Sequence, residues 1–409
     1  MDEVSRATPR LAPDERPGLA MIANCMAPYR ANLHALIAEG IPELKLHTLI
    51  SHGPAEFDWS VNVPESIHAN YFGERDDSPL AGPLHAPLRE WRKGKRLIDY
   101  LQVHRVRAVV CQGYRYPSYL RTMRYCHRHG IPVFYRNDSN IRSDERLSRG
   151  KQVAKGFIYR CWMPWVDGIM SMGEYGDQFF LKYGAVGKPL YRVPCTPDYD
   201  FFARVDPRRL YDLCQRFKLS KERKYALYSG RLVRAKRVDL LIDAFAAIAD
   251  ERPQWDLLIV GDGPLREELQ KRVPERLERR FIWTGFLEQP DCVAAYHAAE
   301  VLFLPSDHEP WALVVQEAMA AGLTVVASDS VGAARELVED RVSGRICPVG
   351  NLAALEEAML DATDSSKIAG YRAQSLAALS RWRQRIDPVA EIRRALVDNG
   401  VLETKLSSA

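Results

Sequence analysis

Short apolar runs alternate with helical stretches along most of the chain, and polar loops separate the two. Each run is the length of a buried strand, and each helical stretch is long enough to connect two neighbouring strands. Strands that alternate with helices usually pair in parallel, so the pattern predicts an α/β fold with doubly wound parallel sheets. The runs lie at 19–24, 44–50, 67–72, 108–111, 133–135, 168–171, 191–194, 225–230, 255–260, 282–286, 301–304, 323–327 and 344–349.

The same pattern divides the chain into two units. Residues 195–202 are rich in Pro and Asp, which is typical of a hinge, and the α/β alternation restarts after them. A chain of 409 residues is long enough for two or three domains. We therefore predict one Rossmann-like domain at 18–194 and a second that begins at 195. Residues 1–17 are polar without an apolar centre, so they are predicted to be a flexible tail and not a signal peptide.

The stretch at 301–329 carries the most specific pattern. A buried strand at 301–304 is followed by a polar loop, a helix that begins near Trp311 and another buried strand. Ligands of parallel α/β sheets bind at the carboxyl ends of strands, beside helix N-termini. The loop therefore places Glu309 at a binding edge, and Glu317 lies about two helical turns further along.

The chemistry of this edge suits a nucleotide-diphosphate sugar. The free N–H groups of the first helical turn, near 311–314, point at an anion, and the helix dipole favours its negative charge. A carboxylate is repelled by phosphate but accepts hydrogen bonds from hydroxyls. Glu309 and Glu317 are therefore predicted to hold sugar or ribose hydroxyls, although two solvated glutamates on a helix face would give the same spacing.

A second loop offers cations to the same ligand. The strand after the hinge ends in Gly230, and Arg231 and Lys236 follow before the next helix. Two cations at the carboxyl end of a strand can neutralise a departing diphosphate. The alternative is a solvated basic loop, and Arg234 and Arg237 are assigned to solvent.

These motifs resemble the retaining GT-B glycosyltransferases of family 4, also described as glycosyl transferases group 1. That family has two glutamates separated by seven residues, usually followed by Ala-Met-Ala, and here Glu309 is followed by Glu317-Ala-Met-Ala. A family loop with Gly-Arg and a later Lys is matched by Gly230, Arg231 and Lys236. The resemblance is specific over 224–350 and weaker in the N-terminal half.

Three departures from the family pattern occur. Pro310-Trp311-Ala312 replaces a Gly-Phe-Gly sequence, and Pro310 lacks an N–H that could meet phosphate. The glycine pair of the first loop is replaced by Met26-Ala-Pro-Tyr-Arg30. A histidine of many family members has no counterpart after the strand at 133–135, where Asp138 is the candidate replacement.

The resemblance implies that the two Rossmann-like domains face each other across a cleft, with the second at 195–380 and a terminal helix at 381–409 that crosses back to the first domain. It implies transfer of a hexosyl group from a nucleotide-diphosphate donor to an acceptor hydroxyl with retention, without metal or cofactor, in polysaccharide, glycolipid or other glycoconjugate synthesis. The catalytic residues that it implies are Glu309, Arg231 and Lys236. The donor-binding residues that it implies are Gly230, Gly263, Gly285, Phe286, Trp311, Ala312, Leu313 and Glu317.

Two residues of the N-terminal half are assigned to the acceptor side. Arg30 could meet a phosphate, and an exposed arginine at a helix start is an equal alternative. Asp138 could contact the acceptor or the sugar, whereas a helix N-cap or an Asx turn is the structural alternative.

The N-terminal half also carries a basic segment. Residues 89–160 contain 18 Lys or Arg and five acidic residues, while the whole chain has a net charge of +4. Such asymmetry indicates an anionic partner. The hypothesis is contact with a membrane surface, in keeping with a saccharide or lipid-linked acceptor, and the alternative is an ordinary solvated face. No base-reading motif is present, so a nucleic-acid partner is not expected.

Other features limit the class of protein. No run approaches the length of a membrane span, and eight scattered cysteines without a Cys-x-x-Cys pair indicate reduced core residues. The prediction is a cytoplasmic protein, peripheral on the membrane face. Two other functions stay open: a GT-B sugar-nucleotide epimerase or hydrolase, and a non-catalytic nucleotide-sugar-binding subunit.

Overall fold

The computed structural model describes residues 16–52, 67, 69–73 and 87–404. Most of the predicted N-terminal tail and the last five residues lie outside these ranges. Within them, the chain forms two parallel sheets that follow one another in sequence. The predicted α/β class with two doubly wound units is therefore confirmed.

Seven parallel strands form the first sheet, in the order β3-β2-β1-β4-β5-β6-β7. Every pairing in the sheet is parallel. The strands are β1 (Gly18–Ala23), β2 (Lys45–Ile50), β3 (Ala69–Tyr71), β4 (Val106–Cys111), β5 (Val133–Arg136), β6 (Gly168–Ser171) and β7 (Leu190–Arg192).

Six parallel strands form the second sheet, in the order β10-β9-β8-β11-β12-β13. The pairings are again parallel throughout. The strands are β8 (Lys224–Ser229), β9 (Trp255–Val260), β10 (Phe281–Gly285), β11 (Val301–Leu304), β12 (Thr324–Ser328) and β13 (Gly344–Cys347).

Helices connect the strands, and none of those described is both long and apolar enough to span a membrane. Gly322, with φ +80°, follows the end of the helix after β11, as predicted. The helices are α1 (Pro28–Gly40), α2 (Pro87–Val103), α3 (Pro117–Arg128), α4 (Ile141–Glu145), α5 (Arg149–Trp162), α6 (Glu174–Lys182), α7 (Tyr199–Ala203), α8 (Pro207–Phe217), α9 (Val238–Ile248), α10 (Arg266–Arg272), α11 (Gln289–Ala298), α12 (Leu313–Ala320), α13 (Gly332–Leu337), α14 (Leu352–Ala362), α15 (Ile368–Arg385) and α16 (Pro388–Asp398).

The first sheet is buried on both faces. Leu19 and Met21 of β1 pack with α1 and α16, whereas Ala20 and Ile22 pack on the other face with α2, α3 and α5. A strand covered on both faces needs apolar residues at every position, which explains the continuous apolar run. The eight cysteines are free thiols, and Cys161 is exposed, so it is not the core residue that the sequence predicted.

Strand order decides which loops meet. In each sheet the first strand lies between strands reached in opposite directions, so β1 neighbours β2 and β4, and β8 neighbours β9 and β11. A crevice opens above such a reversal, at the carboxyl ends of the strands. The loops after β8 and β11 therefore converge.

The chain returns to the first sheet through its last helix. Tyr191 of β7 donates its hydroxyl to Asp398 at 3.0 Å, and the Arg394 guanidinium lies 4.5 Å from the centre of the Tyr191 ring. The sequence predicted a crossing helix from Arg381, but Arg381 still belongs to α15, which packs on the second domain. The crossing helix begins at Pro388, because Asp387 caps a new helix there through the N–H groups of residues 389 and 390.

Candidate active site

The loops that follow β8 and β11 are joined at their backbones. The N–H of Asp307 donates to the carbonyl of Ala235 at 2.8 Å. A short 3-10 turn, Arg234–Lys236, turns the first loop back towards the second. The strand order thus brings Lys236 next to Glu309, although 73 positions separate them in sequence.

Lys236 and Glu309 form an ion pair. Their side chains are only 16% and 14% exposed, so water screens the pair less than it would at the surface. Two hydrogen bonds hold the Glu309 carbonyl: one from the N–H of Gly332 at 3.2 Å and one from the Asn140 side chain at 3.5 Å. The backbone of Glu309 is therefore held in position, and its carboxylate lies beside the Lys236 ammonium group.

Arg231 and Arg237 occupy different environments. Arg231 is exposed at the rim of the same loop, and its carbonyl accepts a hydrogen bond from the Tyr228 hydroxyl at 2.9 Å. The prediction that Arg237 faces solvent was wrong. Its guanidinium is half-buried and bonds Asp239 and Asp307, because Arg237 adopts a left-handed conformation, with φ 52°, that directs the chain into α9.

The N-terminus of α12 lies just beyond Glu309. Its first N–H groups have no carbonyl one turn earlier within the helix, so they are suited to an anion. Ala312 precedes the helix with φ +80°. A left-handed conformation costs a non-glycine residue roughly 1–2 kcal/mol. The family that the sequence motifs resemble has glycine at the position of Ala312. The loop thus keeps a strained backbone where α12 begins.

Trp311 does not present its ring to this edge. The indole is buried, its N–H donates to the Gln316 side chain at 2.8 Å, and the ring lies near Trp382. Only the main chain of Trp311 is left to contact a donor. Leu313 is the first residue of α12 and is half-buried at the same edge.

Glu317 lies on α12, about one helical turn after Leu313, and its side chain contacts Tyr296. The Tyr296 hydroxyl donates to the Glu317 carboxylate at 2.8 Å. Burial raises the pKa of Glu317 to about 7, and the hydrogen bond from Tyr296 opposes this shift. The carboxyl therefore changes charge near neutral pH.

The glycines of the predicted donor site make close backbone approaches. A Cβ at Gly263 would lie 2.5 Å from the Leu232 carbonyl oxygen, so the loop after β9 packs directly on the loop after β8. Gly230 and Gly285 both have positive φ, and the Gly285 carbonyl accepts the N–H of Gly261. Phe286 follows with an exposed ring. The loops after β8, β9 and β10 therefore pack against one another side by side.

The acceptor-side candidates lie in the first domain. Arg30 is half-buried on α1 and donates to the side chain of Asn24 at 2.9 Å. The alternative prediction, an exposed arginine at a helix start, was therefore wrong. Asp138 is exposed and caps no described helix. The Asx turn belongs to Asn137, and Asn140 caps α4.

Polar contacts join the first domain to the loop of Glu309. The Asn140 side chain donates to the Pro310 carbonyl at 3.2 Å, and the Ser143 hydroxyl lies 2.5 Å from Nδ1 of His308. Sequence reasoning missed both contacts. An Asn at the start of a short helix could signal a cap, but its partner in the second domain has no local signature.

In the described part of the chain, no group of three or more His, Cys, Asp or Glu side chains is arranged to hold a metal ion. At this edge of the second domain, Lys236, Arg231 and the α12 N-terminus are positive groups that a ligand could contact.

Sequence comparison finds a family match and curated relatives that each cover part of the chain. Residues 213–374 match the family described as Glycosyl transferases group 1. The 2-deoxystreptamine glucosyltransferase of Streptomyces kanamyceticus is 33% identical over 176 residues, 42% of this chain and 45% of that protein. The alpha-D-kanosaminyltransferase of the same organism is 29% identical over 212 residues, 52% of this chain and 54% of that protein. The chain thus spans about half the length of these curated relatives.

Solved structures match nearly the whole chain. HepE of Anabaena, in complex with UDP and glucose, superposes with a TM-score of 0.68 at 18% identity, covering 94% of this chain and 100% of that one. Sucrose-phosphate synthase from Thermosynechococcus elongatus gives a TM-score of 0.70 at 17% identity, covering 94% and 99%. At such identities the likeness shows the fold alone, which is GT-B: two Rossmann-like domains with parallel sheets.

Proposed function

We propose that this protein is a retaining glycosyltransferase of family 4. It transfers a hexosyl group from a nucleotide-diphosphate sugar to an acceptor hydroxyl, without metal or cofactor, in the synthesis of a polysaccharide, glycolipid or other glycoconjugate. The observation that carries the proposal is the contact between Lys236 and Glu309 beside the α12 N-terminus. The complexes of HepE with UDP and with UDP-glucose support a nucleotide sugar as donor.

The diphosphate and the sugar of the donor bind different groups of the site, because the two parts differ in charge. The diphosphate binds the N–H groups of α12, Lys236 and Arg231, because each of these groups is positive. Its arrival takes Lys236 from Glu309 and frees the carboxylate to accept sugar hydroxyls. Glu317 accepts the ribose hydroxyls, and the loops at Gly263 and Gly285 border the base.

The transfer step follows from these positions. The bond between the anomeric carbon and the diphosphate oxygen breaks, and its electron pair leaves with the diphosphate. The acceptor oxygen bonds to the same carbon on the same face, and the proton of its hydroxyl leaves with the departing diphosphate. Cations and amides that stabilise the departing charge make a metal unnecessary. The acceptor lies against the first domain, beside Arg30 and Asp138.

A two-stage assay tests this function. A thermal-shift screen of UDP-, GDP- and ADP-sugars should find the donor, since a ligand at ~100 times its dissociation constant adds ~2.7 kcal/mol of stability. With that donor, nucleotide release should depend on a saccharide or lipid-linked acceptor, and NMR of the product should show retained anomeric configuration. Release or isomerisation without acceptor would indicate the epimerase or hydrolase. Binding without turnover would indicate a non-catalytic subunit.

Donor affinity should depend on pH through Glu317. Ribose hydroxyls favour the ionised carboxylate, so donor binding should strengthen as the pH rises from 6 to 8, through the pKa of about 7, and should release protons. Calorimetry in two buffers of different ionisation enthalpy measures both effects. A nucleotide sugar is the proper ligand, because its diphosphate diester has no second ionisation near pH 6.

The Glu317→Gln variant is the control for this pH dependence. Its donor affinity should stay constant over the same range, and an unchanged slope would exclude Glu317 as the titrating group. The unliganded protein should show the opposite trend in stability. Since the folded pKa of Glu317 is raised from 4.5 to about 7, its contribution to stability falls as the pH rises through that interval.

We propose that the protein is cytoplasmic and peripheral on the membrane, and the outer face of α5 supports the membrane contact. Val153 and Phe157 are 74% and 71% exposed there. Arg149, Lys151 and Arg160 flank them, and the helix contains no acidic residue. An apolar strip between cations is typical of helices that lie in the interface of anionic membranes.

Vesicle binding tests this placement. The protein should float with vesicles that contain anionic lipid and not with purely zwitterionic ones. A Val153→Ser/Phe157→Ser variant should bind at least about tenfold more weakly, because burial of one large apolar side chain is worth about 1.5–3 kcal/mol. The matched control is Tyr211→Ser, which removes an exposed ring from the second domain. Equal binding of all three proteins would contradict the placement.

A further inference from the structure

Arg136 is a buried cation at the cleft edge of the first sheet. It is the last residue of β5, and it is 2% exposed. Its Nε donates to the Val193 carbonyl at 3.0 Å, and one terminal nitrogen lies 3.7 Å from the Cys195 sulfur. Within the described ranges, no carboxylate forms an ion pair with it. Burying a charge without a counter-charge costs free energy, because the charge loses its hydration.

Arg30 is a second cation in the same surroundings. One of its terminal nitrogens donates to Asn24 at 2.9 Å and to the Cys25 carbonyl at 2.5 Å. Its Nε is buried without a hydrogen-bond partner. None of the described carboxylates pairs with this guanidinium either. Arg30 also lies in the first turn of α1, at the positive end of that helix.

Residues 195 and 196 place the two arginines in one neighbourhood. A terminal nitrogen of Arg136 lies 3.7 Å from the Cys195 sulfur. Asn32, two residues after Arg30, donates to the Thr196 carbonyl at 3.1 Å.

His34 lies on the same helix as Arg30. It is fully buried one turn beyond Arg30, and its Nδ1 lies 2.8 Å from the Thr48 hydroxyl. Burial, together with the charges of Arg136 and Arg30, lowers the pKa of His34 to about 3. The histidine is therefore neutral, and neither arginine of the Arg30–Arg136 pair forms an ion pair with a carboxylate of the described ranges.

The pair lies where the two domains face each other. Tyr29, next to Arg30, packs against the core of the second domain. Asn140, four residues after Arg136, donates to the Pro310 carbonyl in the loop of Glu309 at 3.2 Å. The pair is thus at the wall of the cleft opposite the donor loops.

We propose that the Arg30–Arg136 pair binds an oxyanion carried by the acceptor, a phosphate or a carboxylate. The proposal rests on the proposed function, because it assumes that an acceptor enters the cleft. The donor diphosphate already has Lys236, Arg231 and the α12 N-terminus in the second domain. A separate cation pair in the first domain fits a separate anion, and two guanidinium groups match the geometry of an oxyanion.

Inorganic phosphate is the probe, because it represents the anion without requiring the identity of the acceptor. Calorimetric titration of the full chain should show phosphate binding both without nucleotide and with saturating UDP or GDP, whichever binds. Arg136→Met and Arg30→Met should each weaken phosphate binding at least about tenfold, the loss expected for one charged hydrogen-bonding partner. Their nucleotide affinity should stay unchanged. The matched control is Arg107→Met, because Arg107 is an exposed arginine near the amino end of β4, away from the cleft.

Thermal stability separates ligand binding from a structural role. Removing an unbalanced buried cation should leave the melting temperature of the unliganded protein unchanged or raise it, while the stabilisation by phosphate is lost. Lowered melting temperatures in both variants would overturn the proposal, as would undiminished phosphate binding.

The nucleotide arm identifies the source of the anion. If nucleotide displaces phosphate and both variants bind nucleotide weakly, the pair holds the donor diphosphate instead, and the acceptor proposal is wrong. If the wild-type protein binds phosphate at this pair but binds no nucleotide, the proposed function fails while the anion site stands.

Discussion

Replacing Glu309 with glutamine is expected to lower kcat/KM by about 100- to 1,000-fold, the usual effect of removing one preorganised electrostatic contact from a transition state. Glutamine keeps the shape of the side chain but removes the charge that holds the sugar hydroxyls. The loss should fall on kcat, because those hydrogen bonds matter most when charge develops on the sugar. Initial rates at several donor concentrations measure both constants.

The same variant should bind free nucleotide diphosphate as well as the wild-type protein, or more tightly. Glu309 is ion-paired with Lys236, so a diphosphate that binds Lys236 must displace the Glu309 carboxylate. Glutamine removes this competition. The matched control is Glu339→Gln, which breaks the ion pair between Glu339 and Arg381 outside the cleft and should leave both constants unchanged. Weaker nucleotide binding by Glu309→Gln would show that the ion pair only supports the loop.

Replacing Lys236 with methionine is expected to reduce kcat/KM by a similar factor, about 100- to 1,000-fold, but through the leaving group. Methionine retains an apolar stem of similar length without the ammonium. Nucleotide diphosphate should bind about tenfold or more weakly, since a hydrogen bond to a charged group contributes about 1.5–3 kcal/mol. Isothermal titration of the nucleotide, alongside the rate assay, gives both numbers.

Arg234→Met is the matched control, because Arg234 lies on the same turn and is exposed. It should keep the rate and the nucleotide affinity of the wild-type protein. The opposite effects of the two site variants on diphosphate affinity form the sharper test. If Lys236→Met and Glu309→Gln change that affinity in the same direction, the division of charge between phosphate and sugar is wrong.

The alternation of strands and helices was readable in the sequence because it is a local property. A strand buried on both faces needs an apolar residue at every position, so β9 and β11 were predicted with the bounds that the structure has. Glycine at a helix end is similarly local, and Gly322 was placed correctly. The break between α15 and α16 was missed although its signal is local, since Asp387 is a favourable N-cap residue and Pro388 stands at the first helical position.

Part of the candidate site was also readable. Gly230, Arg231, Lys236 and Glu309 each follow an apolar strand, and loops at the carboxyl ends of parallel strands share one edge. This rule predicted that they would be near each other. It did not predict which side chains would touch, because contact depends on the order of the strands within the sheet.

Tertiary structure alone decided the remaining features. Trp311 turned inward because Gln316 and Trp382 enclose its ring, and the pKa of Glu317 rises because the fold buries it beside Tyr296. The sequence determined the two sheets and the residues at their edges, since apolar period and loop chemistry are written within a few neighbouring positions. Burial and charge pairing at those edges came from packing between segments far apart in the chain, and electrostatic energies depend on that surrounding more than on the residue itself.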